Sequence, residues 1–461
     1  MLFNSPLFIL YFLPIFLGVY YLAPKRFKNA VALFASLLFY AWGAPTFAIV
    51  LVASGMLDYF LSQHLHKIHG KKWLILGISY NLGTLFLFKY FNFFIENVHQ
   101  IFDAIGFGFD AYLELILPIG ISFFTFQKIS YLLDVYRGCT KRADSLLNYL
   151  LFVSLFPQLI AGPIVRYKEI AQQLTDRFEK DHWQSRLSGL YRFIIGLSKK
   201  VLIADALIPL VGESFGAGDV SSLQAWVGLL AYTMQIYFDF SGYSDMAIGL
   251  GRMMGFRFPE NFNWPYVANG FQDFWSRWHI TLSNFMRDYL YIPLGGNRTS
   301  NIITTRNLWI VFLLSGLWHG ANWTFIVWGA WHGFFLTIDR FTGLFKKLSP
   351  VVSRLLTFLL VMLGWVWFRS ENISAGTDFF KTLIQFNGSE FNITSRQLFV
   401  LFLSTAIAIT PIARKKMSMT NFESQNNKQD LLKSAFAFAL LLLSLGQMAL
   451  SHGQPFIYFR F

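Results

Sequence analysis

Long apolar segments recur along almost the whole of this 461-residue chain, and they constrain its fold more than any other feature. A helix needs about 20 consecutive apolar residues to cross the hydrocarbon core of a bilayer. Segments of this kind lie at residues 2–23, 73–96, 351–368 and 431–450. Only 14% of the residues are charged, whereas soluble domains average about 25%. We therefore predict an all-α, polytopic integral membrane protein.

The apolar segments run from end to end, so we expect a single membrane domain over residues 1–461. Within it, residues 1–117 are predicted to form peripheral N-terminal helices, residues 118–340 a motif-bearing core, and residues 341–461 C-terminal helices with an extracytoplasmic tail. We expect a helical pair broken near Gly43 and Pro45 in the first part.

The formal net charge is +13, and most basic residues lie in short loops between apolar segments. This is the pattern of the positive-inside rule, so nucleic acid is not an expected partner and the lipid bilayer is. The same residues would also attract an anionic cytosolic substrate, and counting does not separate the two causes. Cys139 is the single cysteine, which excludes an intrachain disulfide. His64, His66 and His69 lie among lysines in a loop, and we expect neither a metal nor a bound cofactor.

An aromatic and polar stretch at residues 271–297 stands out from the apolar segments. Its spacing predicts an amphipathic helix that ends at the LGGN sequence of residues 294–297. One face would be aromatic, and the opposite, water-facing side would carry Ser276, His279, Ser283 and Arg287. An interfacial anchor helix and a polar face of a functional site both fit this pattern.

His319 lies in an apolar segment among tryptophan, glycine and leucine. Ionisable residues at membrane depth are expensive and are often functional. A buried neutral imidazole can take a proton from a hydroxyl nucleophile that attacks a thioester. A histidine that only completes hydrogen bonds in the core is the alternative, and it applies equally to His332. The chain contains no Gly-x-Ser-x-Gly, Walker or His-Glu-x-x-His sequence that would supply a different chemistry.

Asp239 and Asp245 lie in a glycine-rich apolar sequence, FDFSGYSDMAIGLGRMMGF, whose small residues permit close helix packing. These carboxylates fit either packing or the lining of a cavity. Buried carboxylates and broken helices are also typical of transporters, although inverted repeats are not visible in the sequence. A transporter or channel subunit of a polysaccharide export system is therefore the alternative function, and a scaffold for a polysaccharide synthase is a third.

Several of these motifs together resemble the membrane-bound O-acyltransferase (MBOAT) family. They are FWSRWHITLSNFMRDYLYIPLGGNR, GLWHGANWTF, WGAWHG, LFPQLIAGPIVRY and FDFSGYSDMAIGLGRMMGFRFPENFNWPY. The match is to the bacterial branch that O-acetylates alginate and other polysaccharides. The resemblance implies a ring of helices around a thin central region with a cytosolic funnel and a tunnel. It also implies a multi-pass protein of the bacterial inner membrane.

The resemblance places the family's membrane histidine at His319 and its second histidine at His279. We expect substrate-binding residues beside His279, namely Ser283, Asn284, Arg287 and Asp288. The implied donor is a cytosolic acyl thioester, acetyl-CoA, and the implied acceptor is an extracytoplasmic polysaccharide reached through a periplasmic SGNH-hydrolase-like acetyltransferase.

The C-terminal sequence PFIYFRF resembles an aromatic-tyrosine motif of the same branch. This resemblance implies that Tyr458 relays the acyl group at the outer mouth of the tunnel. An aromatic anchor at the membrane interface is the alternative.

Overall fold

The computed structural model describes residues 1–106, 115–177, 183–216, 220–298, 300–385, 393–410, 427–450 and 454–457. Within these ranges the regular structure is helical throughout, without a strand. Four helical stretches there are long and apolar enough to cross a membrane, which confirms the predicted all-α polytopic class: Pro45–Ser62, Gly70–Ala104, Pro350–Arg369 and Asp430–Leu450.

The chain forms two compact units, Met1–Leu190 with Ala247–Pro259, and Tyr191–Met246 with Glu260–Phe461. The three-part division of a single domain, the funnel and the tunnel stay predictions. In the first unit, single π-helical turns at Phe8–Phe12 and Phe86–Tyr90 and a 3₁₀ turn at Lys25–Phe27 join α-helices. These helices are α1 (Leu13–Leu22), α2 (Lys28–Ala41), α3 (Pro45–Ser62), α4 (Gly70–Leu85), α5 (Phe91–Ala104), α6 (Ile121–Tyr136), α7 (Leu146–Ser154), α8 (Phe156–Leu159), α9 (Tyr167–Ile170) and α10 (Gln173–Asp176).

The predicted break between α2 and α3 is confirmed, because α2 ends at Ala41 and α3 begins at Pro45. The span predicted at 73–96 is longer in the structure, since α4, a π-helical turn and α5 run on from Gly70 to Ala104. Neither glycine nor proline interrupts the chain from residue 84 to residue 105, so a more polar sequence extends the helix.

A buried ion pair ties three helices of this unit together. Lys128 Nζ of α6 lies 3.0 Å from Asp58 Oδ2 of α3, and Asn81 Nδ2 of α4 donates to Asp58 Oδ1 at 2.8 Å. All three side chains are buried. Charges among apolar helices are tolerated when they are paired in this way.

The predicted histidines lie in the second unit, and α11 and α13 contribute residues to both units. Further turns are π-helical at Lys199–Ala204 and Arg287–Tyr291 and 3₁₀ at Asp205–Leu207 and Pro265–Val267. The α-helices are α11 (Trp183–Ser198), α12 (Ile208–Phe215), α13 (Ser222–Met253), α14 (Phe271–Trp275), α15 (Ile280–Met286), α16 (Asn301–His319), α17 (Trp323–Thr342), α18 (Leu344–Lys347), α19 (Pro350–Arg369), α20 (Ile373–Ile384), α21 (Ser395–Ile409) and α22 (Asn427–Leu450).

Helices α16 and α17 pack backbone against backbone. A Cβ atom at Gly316 would lie 2.2 Å from the carbonyl oxygen of Phe325, and one at Gly329 would lie 2.4 Å from that of Phe312. Glycine at both positions is therefore what permits the close approach. This contact brings the C-terminal end of α16, where His319 lies, against the N-terminal half of α17.

We expect Gly316→Ala to destabilise the protein by about 1–3 kcal/mol, the usual cost of overpacking. Melting of the purified protein in detergent measures the effect. Gly446→Ala is the matched control, because a Cβ atom there meets nothing within 4 Å in another helix. Equal melting temperatures for the two variants would show that α16 and α17 do not depend on this contact.

Candidate active site

The stretch that contains His279 is not one continuous helix, so that prediction is wrong. Helix α14 ends at Trp275, α15 begins at Ile280, and His279 between them is left-handed with φ 44° and ψ 53°. Backbone groups of the break bond to another segment. Ile280 N–H donates to Asn261 C=O at 3.0 Å, and Asn263 N–H donates to Arg277 C=O at 2.9 Å. These tertiary bonds replace the bonds that a continuous helix would make.

The start of α14 is fixed by two side chains from other helices. Gln272 N–H donates to Asp339 Oδ2 of α17 at 2.8 Å, and Gly270 N–H donates to Thr357 Oγ1 of α19 at 2.8 Å. Gly270 has φ 99°, a conformation that favours glycine. Asp339 therefore links α17 to α14, a role that its position near the end of an apolar segment did not indicate.

His279 is fully buried, although the periodicity placed it on a water-facing side. Its Nδ1 lies 3.1 Å from Asn261 Oδ1. That oxygen also accepts from Thr281 Oγ1 at 2.8 Å and Thr281 N–H at 3.4 Å, while Asn261 Nδ2 donates to Ser244 Oγ at 3.1 Å. Because Oδ1 accepts, Nδ1 carries the proton in the neutral ring and Nε2 carries a lone pair. Among the described residues, no hydrogen-bond partner reaches Nε2.

His279 lies outside the four helical stretches that are long and apolar enough to cross a membrane, and burial lowers its pKa from 6.5 to about 3. Because protonation favours the unfolded chain, the stability due to the neutral ring is present above pH 6.5 and is lost as pH falls from 6.5 towards 3. We expect the wild type to lose on the order of 2 kcal/mol more than His279→Asn between pH 7 and pH 5. Melting of both proteins over this range measures the difference, and parallel profiles would contradict the assigned burial.

His319 is the last residue of α16 and is 4% exposed. Its ring packs edge-on against Trp328 at 5.0 Å and against Phe368 at 5.2 Å. The ring of His279 lies 6.5 Å from it, and Trp318 contacts both histidines. The two histidines chosen from separate motifs therefore lie side by side in one buried aromatic layer, which we call the histidine layer (His279, Trp318, His319, Trp328 and Phe368).

His332 contacts the same layer through Trp328, at 4.8 Å between ring centres. It is fully buried, and Trp275 packs edge-on against it at 5.0 Å. Neither of its ring nitrogens has a hydrogen-bond partner within the described part of the chain. Its ring also packs against the aromatic rings of Phe271, Phe274 and Trp365.

A cavity of about 310 Å³ opens beside α14 and α15. Three of the four predicted substrate-binding residues line it, namely Ser283, Asn284 and Arg287, whereas Asp288 does not but pairs with Arg287 at 2.8 Å. The other lining residues are Gln272, Trp275, Ser276, Ile280, Leu336 and Arg340. Arg340 was missed in the sequence because it lies in the last turn of an apolar helix, like any membrane-flanking arginine. Two guanidinium groups at one cavity favour an anionic ligand.

The two carboxylates of the glycine-rich sequence are ion-paired. Asp245 lies 2.8 Å from Arg192 and 2.6 Å from Lys199, and Asp239 lies 2.6 Å from Lys200. This pairing supports the packing interpretation of these carboxylates.

Tyr458 lies outside the described residues, which end at Ile457 in this tail. Groups of three or more His, Cys, Asp or Glu side chains placed to hold a metal ion are absent from the ranges given above. The candidate site thus consists of the histidine layer and the cavity, with Asn261 and Asp339 as supports that sequence patterns did not identify. Asn261 lies in PENFNWPY, the end of one of the motifs that resemble the family, and no role was predicted for it.

Comparison with known proteins matches residues 139–370 to the membrane-bound O-acyltransferase family, a range that contains both histidines and the cavity. The chain is 45% identical over 395 residues to the probable alginate O-acetylase AlgI of Pseudomonas aeruginosa, covering 84% of this chain and 75% of that protein. It is 40% identical to the protein of the same name from Pseudomonas putida over the full length of both. It is 39% identical to the peptidoglycan O-acetyltransferase of Helicobacter pylori, covering all of this chain and 98% of that protein. The chain therefore belongs to the membrane-bound O-acyltransferase family and is a multi-pass membrane O-acyltransferase.

Proposed function

We propose that this protein transfers acetyl groups from acetyl-CoA, in the bacterial inner membrane, for the O-acetylation of an extracytoplasmic polysaccharide. The observation that carries the proposal is the pair of buried histidine rings 6.5 Å apart, one of which presents a lone pair at Nε2. The names of the relatives, an alginate O-acetylase and a peptidoglycan O-acetyltransferase, support acetyl as the group and a polysaccharide as the acceptor.

The chemistry we assign to the pair is general base catalysis of acyl transfer. His319 takes the proton of an attacking hydroxyl while the hydroxyl oxygen bonds to the thioester carbonyl carbon. The carbon–sulfur bond then breaks, and the CoA thiolate leaves and takes up that proton from His319. His279, with Nδ1–H committed to Asn261, offers Nε2 as an acceptor that holds the hydroxyl proton before it passes to His319. Burial keeps His279 neutral and therefore able to accept.

The donor is assigned to the cavity beside α14 and α15. CoA carries several phosphate charges, and Arg287 and Arg340 line this cavity with aromatic and polar neighbours. Arginine binds phosphate through paired, charge-assisted hydrogen bonds. A bound phosphate would also compete with Asp288 for Arg287.

We expect Arg340→Gln to raise the KM for acetyl-CoA about tenfold with little change in kcat, as for the loss of one charge-assisted contact that acts on binding alone. Steady-state release of CoA at varied acetyl-CoA measures both constants. Arg354→Gln is the matched control, because Arg354 is exposed and bonds to Asn269 instead of lining the cavity. An unchanged KM in Arg340→Gln would place the donor elsewhere.

We assign the step after the donor to the C-terminal tail, which receives the acetyl group. In this proposal the Tyr458 oxygen is the attacking hydroxyl, so the first product is a tyrosine acetate ester and free CoA. A periplasmic SGNH-type acetyltransferase then accepts the group, the tyrosine regains its phenolic proton, and the partner esterifies the polymer. Acetyl groups are conserved at each step.

Purified protein in nanodiscs with radiolabelled acetyl-CoA tests the function. We expect the release of CoA and the transfer of label to a polysaccharide when a partner acetyltransferase is supplied. Alginate and peptidoglycan fragments offered in parallel identify the acceptor class. Transport of polymer across vesicles without any transfer of label would favour the transporter alternative instead.

A further inference from the structure

A second buried polar cluster lies in the same unit and is distinct from the histidine layer. Lys200 Nζ lies 2.7 Å from Asp205 Oδ1 and 2.6 Å from Asp239 Oδ1. The Lys200 and Asp239 side chains are 3% and 2% exposed, and that of Asp205 is 11% exposed. One cation lies between two carboxylates in a buried place, and burial raises the pKa of Asp205 to about 7. Such a cluster requires further hydrogen-bond donors.

The C-terminal tail supplies one of these donors. Ile457 N–H donates to Asp239 Oδ2 at 2.7 Å, and Lys200 Nζ in turn donates to Pro455 C=O at 3.4 Å. These bonds use the backbone of the tail, so they fix the position of this segment independently of its flanking side chains. Asp239 therefore binds Lys200 with one oxygen and the tail with the other.

Phe456, which lies between the bonded residues Pro455 and Ile457, packs towards the histidines. Phe456 is 1% exposed, and its ring lies 5.5 Å from Phe240 and 4.9 Å from Tyr243. Phe240 then packs edge-on against His279 at 4.7 Å. One aromatic ring thus separates the tail from the histidine layer.

Close helix packing sets the cluster in place. A Cβ atom at Gly196 would lie 2.5 Å from the carbonyl oxygen of Gly242, and one at Gly242 would lie 2.7 Å from that of Gly196. Lys200 follows Gly196 by four residues and Asp239 precedes Gly242 by three, so each charge lies about one turn from the point of contact. The backbones are close enough there for a direct ion pair.

We propose that Lys200, Asp205 and Asp239 form a tail clamp, a set of positioning residues that holds residues 455–457 beside the histidine layer during acyl transfer. The clamp acts on the tail and makes no contact with the reacting atoms. This inference rests on the proposed function, in which Tyr458 accepts the acyl group. The clamp binds Ile457, the residue directly before Tyr458 in the chain.

The test uses the full chain in nanodiscs and compares Asp239→Asn with Asp245→Asn. Asparagine keeps the shape and an acceptor oxygen but removes the charge. Asp245 is the matched control, because it lies on the same helix in a buried ion-paired cluster and its partners there, Arg192 and Lys199, lie outside the tail segment. Hydrogen exchange of the C-terminal peptide reports the tail directly, and CoA release and polymer acetylation report the two steps.

We expect Asp239→Asn to speed exchange of the tail about fivefold, because a neutral acceptor makes the weaker bond. Without a polymer acceptor, CoA release should persist as slow hydrolysis of acetyl-CoA, and the KM for acetyl-CoA should not change. The kcat of polymer acetylation should fall about fivefold. Asp245→Asn should leave tail exchange as in the wild type. Equal exchange in the two variants would reduce the cluster to a structural ion pair and overturn the clamp.

Phe456→Ala provides a second variant that leaves the buried charges intact. It removes the ring that packs on Phe240 and Tyr243, and we expect the same faster exchange and the same loss of polymer acetylation. Unchanged acetylation with a loosened tail would also overturn the clamp. Tyr458→Phe separates the two proposals: full acetylation in that variant overturns the tyrosine relay, whereas the exchange experiment judges the clamp alone.

Discussion

His319→Gln should abolish acetyl transfer, with a fall in kcat of about 10²–10⁴, the usual contribution of a general base. Glutamine keeps a similar size and can still make hydrogen bonds within the layer of Trp328 and Phe368. It cannot take up a proton in the pH range of the reaction. The rate of CoA release and the acetylation of polymer by purified protein measure the loss.

His332→Gln is the matched control for that substitution. His332 is as deeply buried, contacts the same Trp328 ring and belongs to a neighbouring WHG sequence. We expect this variant to keep its activity within a few-fold and to fold normally by size exclusion and melting. Wild-type rates in His319→Gln, or equal losses in both variants, would remove His319 from the role of base.

His279→Asn should lower kcat by about 10²-fold, as expected for the loss of a positioned acceptor in proton transfer. The backbone conformation at His279 makes asparagine the suitable substitute. Asparagine is among the residues that tolerate a left-handed conformation, so the break between α14 and α15 at φ 44° should be retained. What is lost is the Nε2 lone pair that faces no partner among the described residues.

Asn261→Ala provides the companion measurement. It leaves the imidazole in place but removes the oxygen 3.1 Å from Nδ1, so the ring is no longer held in one tautomer. We expect a smaller loss than in His279→Asn, because part of the population still presents Nε2 correctly. A larger loss in Asn261→Ala than in His279→Asn would mean that the asparagine, and not the imidazole, takes part in the chemistry.

Helix type and the presence of spans followed from the sequence because they depend on local composition. The apolar run at 351–368 predicted α19 closely, and Pro45 marked the real start of α3. Helix ends were less predictable, as α5 shows, because a polar sequence without glycine or proline continues a helix that an apolar run has started. Helix α13, Ser222–Met253, likewise continues through most of the glycine-rich sequence without a break.

The site was predicted in part, and the errors have a common cause. The structure places the two predicted histidines side by side and three of the predicted substrate-binding residues at the cavity, while their roles stay predictions. Motif resemblance identifies side chains without regard to the backbone. The break at His279 was missed, since it depends on hydrogen bonds to Asn261 and Asn263, which are distant in sequence. Arg340 was missed because an arginine in the last turn of an apolar helix looks like a membrane-flanking residue. Its place at the cavity results from the packing of α17, not from its neighbours in the chain.

The bond between Asp339 and Gln272 has a consequence for how the enzyme gains rate. His319 is fixed to α17 through the glycine contact of α16, and α17 is fixed through Asp339 to the start of α14, which leads to His279. The spacing of the imidazoles is thus set by a closed series of short contacts. The entropy of aligning the two proposed catalytic groups is lost when the protein folds, so a substrate that arrives has only its own alignment left to lose.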